Sequence, residues 1–311
     1  VNAEAYWSPD GTKIVFQGIR AGQSKCDQIF VMNVDGSDVR MVSNGQGRTT
    51  CAYFLHDDQH IVYGSTMNSL GPGCPPDPDR AFGYVWPVYK TMDIYKADYR
   101  TGEIVQKLTT TDGYDAEATL SPDGKTIVFT STRDGDLELY SMDVNGTNVK
   151  RLTYTPGYDG GAFFSFDGKK IVWRANRPRG PALTDYLNLL SLGLVEPVAT
   201  DMDIYVMNAD GSNQRKITNI GGANFAPSFL PDDSGVIFAS NMENGKDFHL
   251  YTVDLNGQNL KQITAEGTFN LFPIFSPDGK YLMWESNRNS KSPHEMNIFV
   301  AEWKASAQKK E

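Results

Sequence analysis

The stretch Ser8-Pro9-Asp10-Gly11-Thr12-Lys13-Ile14-Val15-Phe16 decides the fold, because its pattern recurs along the whole chain. It joins a tight turn to a strand: Pro presets φ, Asp caps the turn, Gly accepts positive φ, and the β-branched run fits a buried pleat. The other copies begin at Leu55, Ser121, Ser165, Leu230 and Ser276. They recur every 45 residues or so, with two longer intervals of about 65, which is the size of a propeller blade.

A second motif follows each copy, as in Ile29 to Gly36 and Tyr205 to Gly211, and indicates a strand that ends in a hairpin turn. Six repeats of four strands predict an all-β, six-bladed β-propeller of four-stranded antiparallel blades. We expect a single domain over residues 1–303 and a polar tail over 304–311. The last blade lacks its outer strand within this chain, and we expect residues upstream of Val1 to supply it.

The chain has 311 residues and a net charge of −9. This acidity argues against nucleic acid as the main partner, because phosphate binding needs a basic field. No window approaches the roughly 20 apolar residues of a membrane-spanning helix. The sequence has no Gly-x-Ser-x-Gly elbow, phosphate loop, dinucleotide fingerprint or His-Glu-x-x-His motif. A non-catalytic role is therefore favoured, although the acidic residues described below leave enzymatic activity open.

The combined pattern Ser-Pro-Asp-Gly-x-x-Ile-x-Phe and Tyr-x-Met-Asp-x-x-Gly resembles the propeller repeat of the TolB-like family. The resemblance covers essentially the whole chain, which opens directly on the first repeat, and so it extends to the TolB propeller and not to the N-terminal α/β domain of TolB. It implies a binding module, as TolB-like propellers are. Similar repeats occur beside peptidase domains and in some polysaccharide lyases, so the match indicates fold more than function.

Propeller topology places the candidate site at one end of the central channel, here called the upper end. Both long insertions, 68–92 and 178–200, connect the second and third strands of their blades and so lie at this end, where long loops often carry function. Each inner strand begins with a residue that carries a side-chain oxygen, and in blades one and three a glutamate follows two residues later. The expected ligand-binding residues of this set are Glu4, Asp115, Glu117, Asp159, Asn224 and Asn270.

Four of these residues, Glu4, Asp115, Glu117 and Asp159, are expected metal ligands, because converging acids need a compensating cation. Hard oxygen ligands suit Ca²⁺, or else Mg²⁺ or Mn²⁺, and no organic cofactor is implied. Arg133 and Arg177 lie at the same end and could instead pair with the acids in a structural lattice. Nearby Tyr114 and Tyr158 could stack on a ligand or wedge the blades apart. Asx residues could also simply cap the inner strands.

The chain has three cysteines, Cys26, Cys51 and Cys74, and all of them belong to the upper side of the first two blades. A disulfide bond that involves Cys74 would staple its Gly- and Pro-rich loop, and the sequence does not choose the partner. Such a bond indicates an oxidising compartment, so we expect a periplasmic or secreted protein. A site in which the three thiols together bind a soft metal ion is a more specific alternative to the disulfide bond.

Three hypotheses for function follow. The first is a non-catalytic module that receives a protein segment or small ligand at the acidic channel mouth, with a divalent cation as an option. The second is a carbohydrate-active or other lytic or hydrolytic enzyme that uses the channel-mouth carboxylates. The third is an accessory propeller of a larger peptidase-like protein.

Overall fold

The computed structural model describes residues 2–20, 22, 24–67, 73–196, 202–292 and 295–304. Small antiparallel sheets surround a central channel, and in each sheet consecutive strands run from the channel outwards. This arrangement confirms the predicted six-bladed propeller. The parts of the predicted segments that fall on residues 1, 21, 23, 68–72, 197–201, 293–294 and 305–311 lie outside the described residues.

The strands of the first three blades are bounded as follows. Blade one contains β1 (Asn2–Trp7), β2 (Lys13–Gly18), β3 (Gln28–Asn33) and β4 (Arg40–Met41). Blade two contains β5 (Thr49–Phe54), β6 (His60–Ser65), β8 (Asp93–Asp98) and β9 (Ile104–Lys107). Blade three contains β10 (Asp115–Leu120), β11 (Thr126–Ser131), β12 (Glu138–Asp143) and β13 (Lys150–Arg151).

The other three blades continue the ring. Blade four contains β14 (Asp159–Phe164), β15 (Lys170–Ala175), β17 (Asp203–Asn208) and β18 (Arg215–Lys216). Blade five contains β19 (Asn224–Phe229), β20 (Gly235–Ser240), β21 (His249–Asp254) and β22 (Lys261–Gln262). Blade six contains β23 (Asn270–Phe275), β24 (Tyr281–Ser286) and β25 (Asn297–Glu302). Within the described residues blade six has three strands, as predicted, whereas each of the other blades has four.

The repeated turn holds itself together as its sequence predicts. In blade one the Ser8 hydroxyl donates to Asp10 at 2.6 Å and accepts the Lys13 N–H at 2.9 Å. The strand that follows is apolar and buried, with Ile14, Val15 and Phe16 at most 1% exposed. Because successive side chains alternate between the two faces of a blade, both faces of this strand are buried against neighbouring blades. The hydrophobic core therefore lies between the blades.

The two insertions meet each other. The first carries a 3-10 turn (Arg80–Phe82) and β7 (Trp86–Pro87), and the second carries α1 (Pro181–Ser191) and β16 (Leu194–Val195). Strands β7 and β16 pair as an antiparallel two-stranded sheet. We call the described parts of the insertions, 73–92 and 178–196, the lid. No helix in the described ranges is long and apolar enough to cross a membrane.

A disulfide bond joins Cys26 to Cys74, and Cys51 is a buried free thiol. The predicted bridge to Cys74 is therefore present, and Cys26 is the partner that the sequence left undecided. The alternative of three thiols around a soft metal is wrong, because two of the thiols are joined to each other.

Candidate functional site at the ends of the central channel

Four of the expected upper-end residues face the protein interior. Asp115, Asp159, Asn224 and Asn270 are at most 1% exposed. The Asn224 amide donates to the backbone carbonyl oxygens of Met202 and Gly221, and the Asn270 amide bonds two carbonyls in the same way. This is the capping arrangement that the sequence allowed as an alternative. In this conformation the four side chains support the loops.

The two aspartates are paired with the two predicted arginines. Arg133 bonds Asp115 at 2.9 Å, and Arg177 bonds Asp159 at 2.7 Å. Each guanidinium also lies over aromatic rings of its own blade, about 5 Å from the ring centres. Burial raises the pKa of Asp159 to about 7, against the opposing effect of Arg177. The positive charge that these acids require is supplied by arginine.

The four expected metal ligands do not converge. Glu4 and Glu117 line the channel wall, whereas Asp115 and Asp159 lie buried with their arginines. The part of the chain that the structure describes contains no group of three or more His, Cys, Asp or Glu placed to hold a metal ion. The Ca²⁺ site, with Mg²⁺ or Mn²⁺ as variants, stays an untested prediction without support from this geometry.

Each inner strand has a β-bulge at its third residue, and this residue points towards the channel axis. At this point the register with the second strand shifts, and the residue takes a positive φ between 49° and 61°. The six residues are Glu4, Cys51, Glu117, Gly161, Ala226 and Phe272. They surround a cavity of about 20 Å³, into which Arg174 also projects. We call Glu4, Cys51, Glu117 and Arg174 the polar layer.

Arg174 is the cation of the polar layer. Its guanidinium bonds Glu117 at 2.6 Å and the Tyr158 hydroxyl at 2.6 Å, and it is 4% exposed. Burial disfavours its charge, but Tyr158 and Glu117 outweigh burial and raise the pKa of Arg174. Glu117 also accepts the Gly161 N–H of the next blade at 2.9 Å. This contact joins blade three to blade four.

Two other carboxyls make equivalent contacts between blades. Glu4 of blade one accepts the Cys51 N–H at 3.2 Å and the Cys51 thiol at 2.9 Å, and Glu285 of blade six accepts the Ala5 N–H at 3.1 Å. Burial raises the pKa of Glu4, and burial together with Glu4 raises the pKa of Glu285 well above its ordinary value. A 20 Å³ space holds about one water molecule. The polar layer therefore joins blades and has no room for a substrate.

The lid covers the upper end of the channel. Trp86 lies over the Arg174 guanidinium, 5.2 Å from ring centre to Cζ, and meets the Phe225 ring edge-on at 6.5 Å. The two predicted stacking residues, Tyr114 and Tyr158, pack in an apolar cluster with the lid. They are wedged beneath the insertions and do not form an open platform. Trp86 of the lid therefore lies directly over the polar layer.

The open cavity lies at the other, lower end of the channel, where the inner strands run into the Ser-Pro-Asp-Gly turns. It measures about 250 Å³. Aromatic side chains dominate its walls, and they include Trp7, Phe54, Phe164, Phe229 and Phe275. We call this space the lower cavity. Its walls come from the ends of all six inner strands, so it is centred on the propeller axis.

The roof of the lower cavity is a set of three rings. Tyr6 lies 5.4 Å from Tyr53 and 5.6 Å from Phe163, measured between ring centres, and these residues come from blades one, two and four. Tyr53 and Phe163 also line the lower cavity, whereas Tyr6 and Phe163 line the polar layer above. The rings separate the two spaces, so the cavity is a closed-ended cup and not a pore.

The rim of the lower cavity carries two departures from the repeat. The second turn residue is Pro9, Pro122 and Pro277 in three of the blades that line the rim. Phe166 in blade four and His56 in blade two take the same position. No residue at this end was among the predicted site residues. The sequence nevertheless shows a large aromatic residue and a histidine at the turn position where the repeat otherwise has proline.

The comparisons with known proteins agree with this architecture. A family model described as the TolB beta propeller domain matches residues 84–183 and 191–308. The solved TolB from Acinetobacter baumannii is 22% identical with a TM-score of 0.60, and the match covers 86% of this chain and 55% of that one. This chain therefore spans about half the length of that TolB.

Two further solved structures are similar. A putative TolB from Agrobacterium tumefaciens is 18% identical with a TM-score of 0.60, over 98% of this chain and 91% of that one. An oligogalacturonate lyase from Vibrio parahaemolyticus is 14% identical with a TM-score of 0.55, over 95% of this chain and 75% of that one. At these identities the likeness shows the fold alone.

Proposed function

Because this chain belongs to the TolB β-propeller family, as the family model matched over two thirds of its length shows, we propose that it is a non-catalytic binding module whose site is the lower cavity. The single observation that carries the proposal is the aromatic cup of about 250 Å³ on the propeller axis. It replaces the acidic upper mouth as the expected site, because the acids there are buried and paired with arginine and the lid covers the opening.

The size of the cup favours an anchoring side chain over a whole small molecule. Sites for small ligands typically measure roughly 300–1,000 Å³, and the lower cavity is smaller than this range. One or two apolar or aromatic side chains of a protein segment would fill it, while the rest of the segment crosses the rim between Phe166 and His56. Buried aromatic anchors of this kind supply most of the affinity in such interfaces.

The chemistry of the walls agrees with an apolar anchor. The Trp7 indole N–H and the Ser228 hydroxyl both donate to carbonyl oxygens of blade six, at 3.5 Å and 2.8 Å. These polar groups are occupied within the protein, so the cavity offers mainly ring faces and edges to a ligand. The lyase-like alternative rests on the fold likeness to an oligogalacturonate lyase. The disulfide bond between Cys26 and Cys74 supports a periplasmic or secreted location.

A selection experiment tests the proposal. Peptides selected from a random phage-displayed library on the folded chain should share an aromatic or large aliphatic anchor, and their affinities can be measured by calorimetry. Phe166→Ala should weaken the selected peptides about fivefold or more, since truncation of an aromatic contact at the rim costs roughly 1 kcal/mol or more. Alanine retains the backbone N–H that donates to Asp233, so the turn is preserved.

The matched control is Tyr84→Ala, which removes an exposed aromatic ring from the lid, 62% of it in solvent. The proposal predicts unchanged affinity for this variant. Equal losses in both variants, or a loss in Tyr84→Ala alone, would place the site elsewhere. A selection that returns acidic or metal-dependent peptides would reject the apolar cup as the site.

A further inference from the structure

Adjacent blades meet at the rim of the lower cavity through their Ser-Pro-Asp-Gly turns. At several junctions the fourth residue of one turn lies against the second residue of the turn in the preceding blade. A Cβ added to Gly168 would lie 3.6 Å from Pro122, and a Cβ added to Gly279 would lie 2.7 Å from Pro231. A glycine against a proline is therefore the regular contact between two turns of the rim.

The junction between blades four and five departs from this contact at both positions. Phe166 stands where the regular turn of blade four would have proline, and Asp233 stands where that of blade five would have glycine. The two oxygens of the Asp233 carboxylate accept the N–H groups of Phe166 and Asp167, each at 2.8 Å. We call these two hydrogen bonds the clamp. Because proline has no N–H, the two departures from the repeat depend on each other.

Asp233 adopts the backbone conformation of the glycine that it replaces. Its φ is 55°, in the left-handed region that residues with a Cβ rarely enter. The clamp offsets this strain, because hydrogen bonds to a carboxylate are among the stronger ones in proteins. Asp58 of blade two also has a φ of 55°, but the turn before it carries Pro9, which has no N–H to donate. The two aspartates therefore share a backbone conformation and differ in the clamp.

The clamp acts on a residue that lines the lower cavity. The Phe166 side chain is partly buried and packs against the two apolar clusters that contain Phe229 and Phe275, which line the cavity as well. Two consecutive N–H groups of the Phe166 turn are fixed by one carboxylate of the next blade. A wall that is fixed before binding does not have to be ordered by the ligand, and this favours affinity.

We propose that Asp233 is a positioning residue of the lower cavity, an inference that rests on the function proposed above. Through the clamp, Asp233 holds Phe166 so that its ring forms a fixed wall of the cup, and Asp233 itself does not touch the bound segment. A fixed ring favours an aromatic anchor, because contacts between two rings depend on their mutual orientation, whereas contacts of an aliphatic side chain do so much less.

Asp233→Gly removes the clamp and keeps the turn. Glycine accepts a φ of 55° without strain. This gain offsets part of the loss of two hydrogen bonds, so the thermal midpoint should change by less than about 2 °C. The affinity for selected peptides with an aromatic anchor, measured by calorimetry, should fall about threefold or more, because the peptide must then order the Phe166 turn. The same peptides with leucine as the anchor should lose less.

Two further variants serve as controls. Asp58→Gly makes the same change at the same φ in a turn without the clamp, and it should change the affinity by less than about 1.5-fold. Asp233→Asn keeps one acceptor oxygen at a φ that asparagine tolerates, so its affinity should lie between those of the parent and Asp233→Gly. A loss in Asp58→Gly as large as that in Asp233→Gly would overturn the proposal.

A double-mutant cycle shows whether Asp233 acts through the Phe166 ring. In the Phe166→Ala background, Asp233→Gly should change the affinity by less than about 1.5-fold, because no ring is left to position. A second loss as large as that in the parent would overturn the proposal, since Asp233 would then contact the peptide directly. An equal loss for aromatic and leucine anchors would overturn the orientation of the ring as the cause.

The outcomes separate this inference from the proposed function. If Phe166→Ala weakens the peptides and Asp233→Gly does not, the positioning role is overturned and the lower cavity remains the site. Unchanged affinity in both variants would reject the lower cavity and the positioning role with it. Hydrogen exchange of the Phe166 and Asp167 amides, followed by NMR, needs no peptide. Both amides should exchange faster in Asp233→Gly, and equal rates would overturn the clamp.

Discussion

Replacement of Arg174 by Met should destabilise the propeller from its centre. Methionine keeps much of the length of the side chain but removes the charge, so the Glu117 carboxylate stays buried near Glu4 without its 2.6 Å partner. Breaking a buried ion pair on one side costs about 3–5 kcal/mol. An unfolding entropy near 2.1 cal/mol/K per residue, over 311 residues, converts this into a fall of about 5–8 °C in the thermal midpoint.

The assay is scanning calorimetry at pH 8, with the double variant Arg174→Met/Glu117→Gln beside the single one. The double variant should recover most of the loss, because it replaces the unpaired carboxylate by a neutral amide of the same shape. Arg100→Met, at an exposed arginine, is the control and should shift the midpoint little. A single variant as stable as the parent at pH 8, or a double variant no better than the single one, would refute the reasoning.

Three further predictions concern stability. Glu285→Gln should stabilise the chain by a margin that grows from pH 5 to pH 8 in thermal melts. Because the pKa of Glu285 is raised in the folded state, the folded chain keeps a proton that the unfolded chain releases above pH 4.5. The stability of the parent therefore falls as pH rises. A margin that stays constant with pH would contradict this. Cys26→Ser/Cys74→Ser opens a bridge with a separation of 48 residues and should lower the free energy of unfolding by up to about 4 kcal/mol in denaturant titrations, so an unchanged midpoint would count against a structural bond. Gly161→Ala should lower the thermal midpoint more than Gly135→Ala. Gly161 has a φ of 61°, and a Cβ added there would lie 2.8 Å from a guanidinium nitrogen of the polar layer, whereas Gly135 has a φ of 90° and a Cβ there would meet nothing within 4 Å. Equal shifts would show that the close approach has no cost.

The fold could be predicted from the sequence because the same turn-and-strand motif occurs six times along the chain. Each copy combines a turn that closes on its own side chains with a strand buried on both faces, so local and long-range preferences agree. The three-stranded sixth blade followed from counting strands. The predicted disulfide bond to Cys74 followed from the composition of its loop, but its partner did not, because spacing carries no information about which thiol lies nearer.

The candidate site was only partly predictable. The expected acids were found where the topology places them, yet their roles depend on details that a strand pattern does not carry. The bulge that turns Glu117 towards the axis is a backbone feature, and its φ of 58° falls on an ordinary residue. Arg174 and Glu285 were overlooked, although each is a charge directly after the apolar run of its second strand. The meeting of the two insertions at Trp86 and Val195, far apart in sequence, could not be read from either segment alone.

The most direct test of the lower cavity as the binding site is a crystal structure of the chain with a selected peptide whose aromatic anchor is replaced by 4-bromophenylalanine. Anomalous scattering from bromine locates the anchor independently of the peptide backbone. We predict a peak inside the cup, below Tyr53 and Phe163 and within van der Waals contact of the Phe229 or Phe275 ring. A peak on the lid with an empty cup would contradict the account.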